Sequence, residues 1–236
     1  MRVSHTAVLV ASSLFVSQSS AQIFVFNGPG GLAAEAEFTL INPTTLEVRL
    51  KNISTGVPLG FSNSDQLLTG ISWDFGIAGV NDPTDAHIIG GFVEIGSSSF
   101  SVDFDTGSYG SGTDVSGEFG YGNNDGSGMK LNFFSANSAG ATSFGGPNLD
   151  GPAGLDGPQP GLISSAFSLP LGGLGAIQDE VVATLTLDQS LTDLSFLWAN
   201  GMRVEFGSDA AFITIPTPAS AALLGLGGLL ATRRRR

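Results

Sequence analysis

The sequence predicts an all-β fold: a two-sheet antiparallel sandwich, jelly-roll-like, with long glycine-rich loops and a short hydrophobic helix at the C-terminus. Three observations predict it. Apolar and polar residues alternate with a period of two through at least eight runs. Glycine numbers 34 while charged residues make up only 13%. No stretch between Gln22 and Ile215 carries a helical apolar stripe of ten or more residues. Period two is the signature of a strand with one face buried and one wet, and scarce charge with abundant glycine disfavours long surface helices. With 236 residues, 42% of them apolar, the chain is long enough for one good-sized core.

The first hairpin sets Ala34, Ala36, Phe38 and Leu40 on one face against Glu35, Glu37 and Thr39, turns at Asn42-Pro43-Thr44-Thr45, and returns with Leu46, Val48 and Leu50 against Glu47, Arg49 and Lys51. Further strands follow the same rule. Ile71, Trp73, Phe75 and Ile77 point inward with Ser72, Asp74 and Gly76 outward. Phe100, Val102 and Phe104 point inward with Ser101 and Asp103 outward. Met129, Leu131 and Phe133 form another run, as do Val181, Ala183, Leu185 and Leu187, then Leu194, Phe196 and Trp198, and finally Met202, Val204 and Phe206. So many half-buried strands require two sheets packed face to face. Almost half of the glycines fall between Gly96 and Gly161, where long loops are expected, and Leu-Asp-Gly-Pro occurs twice there as repeated turn chemistry. A short turn of helix is allowed from Leu171 to Asp179.

Charge is distributed unevenly. Five of the nine basic residues are Arg2, Arg233, Arg234, Arg235 and Arg236, so the stretch between the ends holds Arg49, Lys51, Lys130 and Arg203 against 21 carboxylates, a formal charge of −17. Such a surface repels phosphate backbones, so no nucleic-acid partner is expected; it can attract cations or cationic polymers, and it keeps an exported protein soluble. The absence of cysteine removes thiolate catalysis, cysteine metal sites and disulfides together.

Both ends read as targeting segments. Residues 1–21 combine Arg2, an apolar run from Ala7 to Val16, and Ser19-Ser20-Ala21, the three parts of a secretory signal with cleavage by signal peptidase after Ala21. Residues 22–214 are the exported domain. Residues 215–236 open on Ile215-Pro216-Thr217-Pro218, continue from Ala219 to Ala231 with no charge, and close on Thr232 and the four arginines Arg233, Arg234, Arg235 and Arg236. As a helix the apolar stretch covers roughly 20 Å, short of a hydrocarbon core of roughly 30 Å, and the arginines hold its far end in the cytoplasm.

The order of Pro-x-Pro, a short Ala/Leu/Gly helix and a terminal arginine cluster resembles the PEP-CTERM sorting signal of Gram-negative bacteria. Pro216 and Pro218 match the two prolines of that motif, and Thr217 stands where its glutamate usually lies. The resemblance covers about the last 21 residues. It implies recognition by a membrane-embedded exosortase, transient anchoring in the inner membrane, and transfer to the cell surface or extracellular matrix, where exopolysaccharide is the macromolecular partner at hand. A simple uncleaved tail anchor is the alternative; the Leu-Pro-x-Thr-Gly string of a sortase substrate does not occur.

Catalytic signals are weak. His87 is the one histidine left after signal removal, beside Asp82 and Asp85, and no nucleophile elbow accompanies it. The expected role is therefore non-enzymatic, structural or interacting. Two alternatives stand beside it: a carbohydrate-binding module using loop aromatics such as Tyr109 and Tyr121, and a glycoside hydrolase using a carboxylate pair, with Glu94 and Glu118 as candidates. No cofactor is expected except calcium. Asp103, Asp105 and Asp114 occupy positions 1, 3 and 12 of a twelve-residue window, as EF-hand ligands do, although Gly107 and Ser108 break the pattern at positions 5 and 6. A loop site joined by Asn123, Asn124 and Asp125 is a second arrangement, and solvated turns are the plainer explanation of both.

Overall fold

The computed structural model describes residues 21–62, 64–102, 107–124, 128–137, 140–149, 155, 157–167 and 175–215. Their strands, in chain order, are β1 (Ala21–Asn27), β2 (Ala33–Asn42), β3 (Thr45–Asn52), β4 (Leu68–Trp73), β5 (Ile88–Ile95), β6 (Phe100–Val102), β7 (Gly120–Asn123), β8 (Asn132–Ser135), β9 (Thr142–Ser143), β10 (Leu162–Ile163), β11 (Ala176–Gln178), β12 (Glu180–Leu187), β13 (Met202–Phe206) and β14 (Ala211–Ile215), with one helix, α1 (Ser195–Asn200). They build two sheets of an all-β, sandwich-like fold.

The first sheet runs β1-β2-β3-β12-β5 and is antiparallel throughout. Here strict alternation translates directly into burial. Ala34, Ala36 and Phe38 of β2, Leu46, Val48 and Leu50 of β3, and Val181, Ala183, Leu185 and Leu187 of β12 all face the core. The β2–β3 turn is fastened by Asn42, whose side-chain oxygen accepts the Thr44 N–H at 3.0 Å and the Thr44 hydroxyl at 3.2 Å, as an Asx turn does. On the outer face Arg49 reaches Glu180 on β12 at 2.9 Å and Glu37 on β2 at 3.6 Å.

The second sheet runs β6-β11-β10-β4-β8-β7-β9, with β13 added on β4 and β14 on β13. Because β4 pairs with β13, β8 and the tip of β10, this sheet curls around it. The pair β10–β11 is parallel, which the antiparallel expectation did not include. An aromatic chain ties the two sheets together: Phe24 and Phe38 at 6.1 Å, Phe38 and Trp73 at 5.3 Å, Trp73 and Phe75 at 5.8 Å, and Phe75 and Phe196 at 5.0 Å between ring centroids. The first three meet edge to face, and such pairs are worth about 0.5–1.5 kcal/mol beyond the area they bury.

Several expectations change. The run Leu194 to Trp198 is not a strand: Ser195–Asn200 form α1, with Leu194, Phe196 and Leu197 buried and Trp198 half-exposed. Asp193 accepts the Ser195 N–H at 2.8 Å at its start, and Gly201, with φ at 69°, follows its end. Alternation over five residues satisfies a short helix as well as a strand, and these two punctuating residues decide the matter. On β6 the faces are reversed, with Phe100 exposed and Ser101 buried, because the Ser101 hydroxyl and N–H both bind the Tyr109 backbone at 2.8 Å. β4 is buried on both faces, so Ser72 and Asp74 point into protein, while Ile77 lies beyond its end, exposed in a turn. The span from Ala176 to Gln178 is strand and not helix. Residues 171–174, Phe104 and the C-terminal helix read at 219–231 lie outside the described residues.

Candidate functional site

The registers of three neighbouring strands bring opposite charges together at one end of the curled sheet. Trp73 of β4 pairs with Asn132 of β8 and Met202 of β13. One residue past β4, Asp74 therefore meets Lys130, which leads into β8, and both lie close to Arg203 of β13. Asp74 is almost fully buried. Its carboxylate accepts the Leu131 N–H at 3.0 Å, the Gly79 N–H at 3.2 Å and the Lys130 ammonium at 3.0 Å. Lys130 also donates to the Asn200 carbonyl at 2.9 Å, and the Asn200 amide donates to the carbonyls of Asp74, at 2.9 Å, and Gly76. An ion pair removed from water survives only when the remaining donors and acceptors are satisfied in this way.

Beside this network lies a hollow of about 340 Å³ lined by Asp74, Gly79, Gly128, Met129, Lys130, Leu131 and Arg203. The Arg203 guanidinium stands 5.5 Å from the centroid of the Phe212 ring and binds the Thr214 hydroxyl and the Gly128 carbonyl. Two of the four cations between the chain ends thus converge here. The lining sets these two cations beside one carboxylate, Asp74, already bonded to three donors.

The residues singled out by the sequence are scattered. Asp103, Asp105 and Asp125 lie outside the described residues. The whole sorting motif, Pro216, Thr217, Pro218, Arg233, Arg234, Arg235 and Arg236, lies outside them too. Asp114 bridges Glu94 through the backbone, and its carboxylate holds the Ser116 N–H at 2.9 Å and hydroxyl at 2.5 Å. Among the described residues no group of three or more His, Asp and Glu is arranged to hold a metal ion. Asn123 clamps the start of β5, accepting the Ile88 N–H and donating to its carbonyl, each at 2.7 Å. Tyr109 and Tyr121 are half-buried against the core, the Tyr121 ring tilted against Phe144 with centroids 5.0 Å apart. Glu94 points away from the core between Val93 and Ile95, whereas Glu118 is wholly buried and accepts the Leu149 N–H. The two carboxylates therefore occupy different environments, and neither lines this hollow. His87 is held by Asp188, its ring at 3.3 Å and its N–H at 2.7 Å, and faces Asn81 at 3.4 Å. Ala21 opens β1, paired with Thr39.

Sequence reasoning missed the Asp74–Lys130–Asn200 network. Its available signal was the rarity of lysine in a chain so acidic, since a lone cation there is drawn to a carboxylate. No protein-family model, no curated protein and no solved structure matches the chain.

Proposed function

We propose that the protein is an exported, non-enzymatic component of the bacterial cell surface or extracellular matrix, cut by signal peptidase after Ala21 and sorted through its PEP-CTERM-like tail by an exosortase. The observation that carries the reading is the three-part order of each end: Arg2, an apolar run and Ser19-Ser20-Ala21 at the start, and Pro216-Thr217-Pro218, an uncharged apolar run and four arginines at the finish. Among the described residues β1 opens at Ala21 and β14 closes at Ile215. Gly28, just past β1, packs on Ile213 of β14, so the first and last strands adjoin. Pairing of Ala21 with Thr39 would close the first cleavage site to a peptidase, so cleavage precedes closure of the first sheet. The acidic, cysteine-free composition suits an exported bacterial domain that holds by packing alone.

Fractionation of a Gram-negative host carrying an exosortase tests this reading. The full chain is expected in the envelope and then at the cell surface, and a chain ending at Ile215 is expected in the periplasm. Recovery of both in the cytosol would overturn it. Envelope retention of a full chain that keeps its arginines would favour the simple tail anchor.

A further inference from the structure

Two strands of the curled sheet bring polar residues to either side of a glycine. Glu205 of β13 and Ser135 of β8 both pair with Gly70 of β4, so their side chains flank β4 on one face. Gly70 has no side chain to stand between them. Beside them lies a cavity of about 20 Å³, with room for about one water-sized occupant. Ser135, Asn137 and Glu205 wall it with the apolar Met129 and Phe133, and the exposed Ser208 and Asp209 of the β13–β14 turn rim it.

The polar atoms around this cavity are short of donors. Glu205 is almost fully buried, and the two donors that reach it, the Asn137 amide at 2.7 Å and the Asp209 N–H at 3.0 Å, both bind Oε1. Among the described residues no donor is bonded to Oε2. Asn137 is more than nine-tenths buried; its Nδ2 also donates to the Gly207 carbonyl at 2.9 Å, while Oδ1 is buried with no hydrogen-bond partner. Turning the amide over cures nothing, because Oδ1 would then face a carboxylate and a carbonyl, both acceptors. Oδ1 is therefore the end left for the cavity. Ser135 donates its hydroxyl proton to the Thr69 carbonyl at 3.2 Å, which leaves oxygen lone pairs. Asp209 adds a second carboxylate, whose charge acts with burial to raise the Glu205 pKa. No lysine, arginine or histidine stands among the described residues of the lining.

We propose that this cavity is a cation site, in which Glu205, Asp209 and the Asn137 side-chain oxygen hold one calcium ion. A water molecule supplies two donors and no charge, whereas gathered acceptor oxygens without a counter-charge suit a hard cation. Two carboxylates alone do not make a cage; the hydroxyls of Ser135 and Ser208 and solvent complete it. Calcium fits better than magnesium, because it accepts an irregular set of six to eight oxygens where magnesium demands a near-ideal octahedron and keeps its waters. The strongly acidic body, formal charge −17 between the chain ends, draws such an ion in. So few charged ligands place the affinity at about 0.1–1 mM, the range of extracellular calcium modules. The site is distinct from the loop arrangements around Asp103 and Asn123, and the inference is independent of the export reading.

Calorimetric titration of CaCl2 into the purified, chelator-stripped full chain, in the processed form its host yields, tests it at about 0.15 M salt, where diffuse attraction is screened. The wild type is expected to take up calcium saturably, with magnesium at least tenfold weaker. Asp209→Asn, at an exposed position, and Glu205→Gln, which keeps the bonds at Oε1, should each weaken calcium at least tenfold. Glu35→Gln, which removes one charge from the wet face of the first sheet, should bind as the wild type does. In chelator Glu205→Gln should be at least as stable to urea as the wild type, so its loss of calcium is not a loss of fold; added calcium should raise the wild-type midpoint and leave that of Glu205→Gln unmoved. A wild type that shows no saturable uptake up to about 10 mM, ten times the weakest affinity expected, overturns the proposal and leaves the cavity to water. So does uptake that survives in both site variants, or an equal response to both ions, because either marks the acidic surface at large. Should a variant fail to fold, the Asn137 side-chain amide resonances of the wild type decide: a saturable shift with calcium supports the site, and resonances that do not move refute it.

Discussion

At the residue scale, Glu205 shows how a carboxylate can sit almost fully buried on β13. Burial raises its pKa above the ordinary 4.5, and the charge of Asp209 adds to the rise, while the Asp209 N–H and the Asn137 amide, at 3.0 and 2.7 Å, oppose it. Well below the free-glutamate value both folded and unfolded chains carry the proton, and burial costs nothing. As pH climbs through that value the unfolded chain ionises first, so stability falls until the folded group ionises too. Both hydrogen bonds reach Oε1, which glutamine retains. Glu205→Gln should therefore raise the urea midpoint at pH 7, and the gain should vanish as the medium is acidified below the free-glutamate value. A gap that widened toward acid would contradict this account. Nothing in the local pattern separated Glu205 from a wet-face residue, since it alternates between Val204 and Phe206 as Glu47 does between Leu46 and Val48. Asp74 hid in the same way. Alternation reports which side a residue takes and carries no information on whether that side is later covered.

At the element scale, legibility followed exposure. The β2–β3 hairpin and β12 were readable almost residue by residue, because the first sheet has one dry face and one wet face. β4 was not, because it lies inside the curl of the second sheet and is buried on both faces. Short pieces were readable least: β9 and β10 span two residues each, too few for any period to register, and α1 passed for a strand. The crowding around β4 has a measurable consequence. A Cβ on Gly70 would stand 2.7 Å from the Cβ of Ser135 and 2.8 Å from the carbonyl oxygen of Phe134 on the neighbouring β8. Gly70→Ala should thus force β4 and β8 apart and cost about 1–3 kcal/mol of stability, seen in the urea midpoint. An unchanged midpoint would mean that β8 moves freely.

At the scale of the whole molecule, the sandwich is an acidic body carried between two ends that hold most of the chain's positive charge. The expectation for each end was readable in composition alone: an apolar run with a basic start, and an apolar run with a basic finish. The hollow near Lys130 and Arg203 was not, because three strands far apart in sequence assemble it. Intact mass of the protein recovered from the cell surface tests the central claim, that both ends are removed, most directly. A species beginning at Gln22 and lacking Arg233, Arg234, Arg235 and Arg236 is predicted. A mass matching the full 24.1 kDa chain would contradict it.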